Sequence, residues 1–147
     1  MIKLEAKNWT VQGDLMVSFY KAGTIADDVW QDYCDTIGSA ACRKVMATSI
    51  GAIEVSSSQR KLVSDVLKQS GVSVAVVTDE AIVRGLMTAV SWLGRVDLRA
   101  FPWHKVADAY LHLAPQGITQ KEALDLVDAI RRRVESEGSG TMGGRPG

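Results

Sequence analysis

The stretch VSVAVVTDEAIVRGLMTAVSWL, residues 72–93, decides the fold. Val72 to Val77 is an almost unbroken apolar run, the pattern of a strand buried on both faces. Thr78, Asp79 and Glu80 then interrupt it, and from Ala81 to Leu93 the apolar residues Ile82, Leu86, Ala89, Val90 and Leu93 recur at three- and four-residue steps. A buried strand turning directly into an amphipathic helix predicts an α/β unit with a parallel sheet. Thr78 or Asp79 is the expected N-cap, and Gly85 marks a close approach to the sheet.

A strand-to-helix turn can also hold a phosphate. That chemistry needs glycines at the turn so that backbone amides reach a pyrophosphate. VVTDEAIVRG has none there, and its Asp-Glu pair would repel the anion. Capping is therefore the expected role of these residues, and no cofactor is expected.

Outward from this unit, Ile2, Leu4 and Ala6 alternate with polar neighbours, and Gln12-Gly13-Asp14 turns the chain into LMVSFY, which predicts an N-terminal hairpin. Ala26, Val29, Trp30, Tyr33, Cys34 and Ile37 mark one helical face ended by Gly38. A strand is expected over Arg43–Ser49, then a loop through Gly51. Ser56-Ser57-Ser58-Gln59 reads as a capping box opening a helix with Leu62, Val63, Val66 and Leu67 inward and Gly71 at its end. A last strand is expected over Val96–Phe101, with Trp92 against Phe101. A helix after Pro102 would bury Val106, Ala107, Tyr110 and Leu111, and a second capping box, Thr119 to Glu122, starts a helix with Leu124, Val127, Ile130 and Val134 on one face. The expected division is an α/β domain over 1–114, an amphipathic helix over 115–135 and a disordered tail over 136–147, whose glycine-rich composition cannot build a core.

The chain has 147 residues and balances 17 Lys and Arg against 17 Asp and Glu, so it has no net attraction for nucleic acid. MIKLEAKNWTVQ has no secretory pattern and no apolar run approaches a bilayer span, so no membrane insertion and a cytoplasmic, reducing setting are expected. Cys34 and Cys42 match no metal or redox spacing and are expected to be small core residues.

His104, Asp108 and His112, four apart, are the sharpest metal candidate, but a solvated face explains them as well, and no metal is expected. No nucleophile signature occurs, so an enzyme is not expected. Phe101 and Trp103 are expected to be core staples, and Arg131-Arg132-Arg133 a solvated helix end paired with preceding acids. The apolar face of that last helix must be covered, by its own sheet or by a second copy of the chain, which is the one pointer to a homodimer.

With Gln59-Arg60-Lys61 opening the second helix, Val74 to Trp92 through the third and Ala100-Phe101 before the closing RAFPWHKVADAYLHL, the chain resembles the STAS-like, SpoIIAA-like proteins related in fold to bacterial anti-sigma-factor antagonists. The resemblance covers about residues 1–114. It implies a STAS-like mixed β-sheet with helices, led by the β-hairpin and here extended by a C-terminal helix. It also implies a non-enzymatic cytoplasmic module that binds another protein, sometimes switched by phosphorylation where the second helix begins. In the antagonists that site follows an Asp-Ser-Ser/Thr-Gly pattern; here the serines lack the preceding aspartate and the following glycine. The regulatory or partner-binding surface expected on this basis is Gly51, Ser56, Ser57 and Ser58, with Thr78 and Asp79 on the neighbouring turn. The alternative is a small-molecule or lipid carrier, since related domains hold such ligands.

Overall fold

The structure, a computed structural model, describes residues 8–80 and 96–143, with side chains as far as residue 137. The chain forms β1 (Trp9–Gln12), β2 (Leu15–Thr24), α1 (Asp27–Ile37), β3 (Lys44–Glu54), α2 (Ser57–Ser70), β4 (Ser73–Thr78), β5 (Leu98–Phe101), a 3-10 turn (Trp103–Lys105), α3 (Val106–Leu113) and α4 (Gln120–Gly143). Five strands make one sheet in the order β1-β2-β3-β4-β5, with β1 antiparallel to β2 and every other pair parallel. This is the mixed α/β sheet with a leading hairpin that the apolar runs and the Gly13-Asp14 turn predict.

The hairpin closes between Gln12 and Leu15. Gly13 holds φ +61°, and a Cβ there would stand 2.3 Å from the Gln116 carbonyl oxygen, so only glycine fits. The contact is structural, because Asp14 N–H donates to Gln116 O at 3.0 Å and Gln116 N–H donates to the Asp14 carboxylate at 2.8 Å. The turn between α3 and α4 is thereby locked onto the hairpin. The expected strand through Ile2, Leu4 and Ala6 lies outside the described residues. So do the expected helix from Ala81 to Leu93, its Gly85, and the contact of Trp92 with Phe101.

The first half of β2, Leu15–Phe19, and most of β4 are buried on both faces, as their nearly continuous apolar runs predict. On one face Leu15, Val17, Phe19, Met46, Ala75 and Val77 pack against α3 and α4. On the other, Met16, Val45 and Val74 pack against Trp30, Tyr33 and Ile37 of α1 and Leu67 of α2. Cys34 and Cys42 are free and buried in this second core, as expected of small apolar residues.

Three expectations are corrected. The strand expected to stop at Ser49 continues to Glu54, so Gly51 belongs to β3 and not to a loop. The pairing Lys21↔Ile50 jumps to Gly23↔Ile53, leaving one extra residue on β3. Gly51, at φ +80° and with its would-be Cβ 2.8 Å from the Ala22 Cβ, absorbs that bulge. Second, Leu111 is 61% exposed, while Ala109 and Leu113 are buried. Val106 and Tyr110 pack against the core as expected, but Ala109 and Leu113 take the places expected of Ala107 and Leu111, because the 3-10 turn after Pro102 shifts the phase of α3.

The third concerns α4. Thr119 and Glu122 form the expected reciprocal cap, each side chain bonded to the other's backbone N–H at 3.1 and 2.8 Å. The apolar stripe of this helix, Ala123, Leu126, Val127, Ile130 and Val134, lies in the same core as Leu15, Val17 and Phe19. Its own sheet covers it, one of the two covers expected, but Leu124, expected on this face, is only half-buried, and Ala123 and Leu126 take its place. Buried Leu126, Val127, Ile130 and Val134 each contribute about 1.5–3 kcal/mol, so α4 is part of the core that holds the sheet. On its outer side Arg132 pairs with Asp128 and Arg131 with Glu135, and the Arg131 guanidinium lies 5.1 Å from the centre of the Trp103 ring.

Candidate functional site

The second helix begins where the sequence places it. The Ser56 hydroxyl accepts from Gln59 N–H at 3.1 Å, and the Gln59 side-chain oxygen accepts from Ser56 N–H at 3.0 Å. Ser56, Ser57 and Ser58 are exposed, but Gln59 is buried. Its amide nitrogen donates to the Ile25 carbonyl at 2.7 Å and to the Asp27 carboxylate at 3.0 Å, and its own carbonyl accepts from the Trp30 indole at 2.8 Å. One glutamine thus fixes the start of α2 to the start of α1. The capping pattern predicted half of this; burial against α1 comes from packing and leaves no local trace.

Beside it, β2 and β3 run on past the last pair between β3 and β4, Ser49↔Thr78. The ribbon that projects carries the exposed residues Ala52 and Glu54. Gly51 N–H donates to the Asp79 carboxylate at 3.0 Å, tying this ribbon to the end of β4. Asp79 is exposed, but Thr78 is fully buried and does not reach the surface. Its hydroxyl accepts from Glu80 N–H at 3.3 Å, the geometry of a turn-capping residue. Of the residues expected at that surface, Ser56, Ser57, Ser58 and Asp79 are exposed, and Gly51 is joined to Asp79 through its backbone.

Beneath the same end of the sheet lies a cavity of about 320 Å³. Its wall is apolar, formed by the sheet face of β3, β4 and β5 and by Trp30, Val63 and Leu67 of the two helices, with Arg60 among its lining residues. Sealed and empty, such a space would cost about 8 kcal/mol at ~24 cal/mol per Å³, the scale of a whole domain's stability. Of its lining hydroxyls, those of Thr48 and Tyr33 are engaged within the protein. Thr48 donates to Ser18 O at 2.7 Å, and the Tyr33 and Ser18 hydroxyls share a 2.9 Å hydrogen bond.

Burial pushes the Tyr33 phenol up to about 12, against the opposing Ser18 hydrogen bond. Tyr20 is pushed up further, by burial and then by Tyr33, and its hydroxyl is sealed from solvent without a hydrogen-bond partner. Both phenols stay neutral in the physiological range. Burial also raises the Cys34 and Cys42 thiols to about 11. These thiols are therefore protonated, and neither is an activated nucleophile.

The histidine candidates do not converge. His104 is exposed in the 3-10 turn, outside α3, which breaks the four-residue spacing to Asp108. His112 lies 3.9 Å from the Asp97 carboxylate with its ring against Phe101. Among the described residues no cluster of three such side chains is placed to hold a metal ion, and no helix is long and apolar enough to cross a membrane. The chain matches no family model, no curated protein and no solved structure.

Proposed function

We propose that the chain is a non-enzymatic, cytoplasmic protein-binding module, regulatory or scaffolding in role and STAS-like in type. The hairpin-led, sequentially ordered sheet is compatible with that type. The observation that carries the reading is the mounting of the α2 start. Three consecutive exposed serines sit on a helix end fixed by the buried Gln59, directly after the β2–β3 ribbon that Asp79 holds through Gly51. A surface held by rigid elements binds a partner without an ordering cost.

The test is affinity capture from the native host, followed by titration of the captured protein against variants. Ser58→Arg alters only an exposed side chain and should weaken binding at least tenfold without changing the melting temperature; Asp79→Arg also removes the bond to Gly51 N–H and should weaken binding with a small fall in the melting temperature. Ser56→Asp preserves an N-cap of equal quality, so it should fold normally and still shift affinity. Unchanged affinity in all three variants would falsify this surface.

A further inference from the structure

We draw no further inference here: the strongest candidate, the cavity between the sheet and the helices α1 and α2, carries nothing, because residues 81–95, which join β4 to β5, lie outside the described residues and nothing in the structure shows what covers it.

Discussion

The two faces of the sheet are built from alternate residues of the same strands, and they are filled differently. Toward α3 and α4, Leu15, Val17, Phe19, Met46, Ala75 and Val77 are all fully buried and meet the stripe of α4 without a gap. Toward α1 and α2, Val45 and Val74 are buried, but Ala47, Val76 and Leu98 keep partial exposure to the cavity. The first face resembles a close-packed interior, where each added or removed methylene is felt. The second holds its helices with aromatic and polar contacts, Trp30 to Gln59 and Tyr33 to Ser18, and leaves space between them.

Truncation gives the largest test of that contrast. Phe19→Ala removes a fully buried ring on the filled face and should cost about 3–5 kcal/mol, read as a fall in the urea midpoint. Leu98→Ala, on the cavity side, should cost less than about 2 kcal/mol, because part of the side chain is already hydrated. Equal losses would erase the distinction between the faces.

Enlargement sharpens it at adjacent residues of β4. Val77→Leu adds a methylene to the filled face and should destabilise by about 1–3 kcal/mol. Val76→Leu adds the same group to the cavity and should be neutral or stabilising by up to about 1 kcal/mol. A comparable penalty at Val76 means that the cavity is not available for filling.

The smallest effect is a pH dependence confined to the second face. Cys34 and Cys42 are raised from 9.0 to about 11, so the folded state holds their protons more tightly than the unfolded chain does. Their contribution is complete below pH 9 and is lost as pH rises through about 11. Urea midpoints should fall over that window in the wild type and fall less in a Cys34→Ala, Cys42→Ala double variant. The same slope in both proteins assigns the loss to other groups, Tyr33 among them.

Much of this was legible in local pattern. The turn at Gly13-Asp14, the caps at Ser56 and Thr119, the end of α2 at Gly71 and the stripe of α4 depend on contacts within a few residues, so spacing alone determined them. Of the candidate surface, the exposure of Ser56, Ser57, Ser58 and Asp79 was legible, because polar residues after an apolar run belong at helix and strand ends.

What tertiary structure alone decided involves partners distant in sequence. β3 continues to Glu54 because β2 runs beside it and Gly51 can take the bulge against Ala22, a contact no reading of residues 44–54 contains. The phase of α3 follows from a 3-10 turn, which buries Leu113 and exposes Leu111. Gln59 and Thr78 look like surface polar residues and are buried because α1 and the adjoining turn supply their hydrogen bonds. The cavity has no sequence signal, since Ala47 and Val76 read as ordinary members of an apolar strand. Alternation says which face a side chain takes; only the distance at which the helices settle says whether that face is filled.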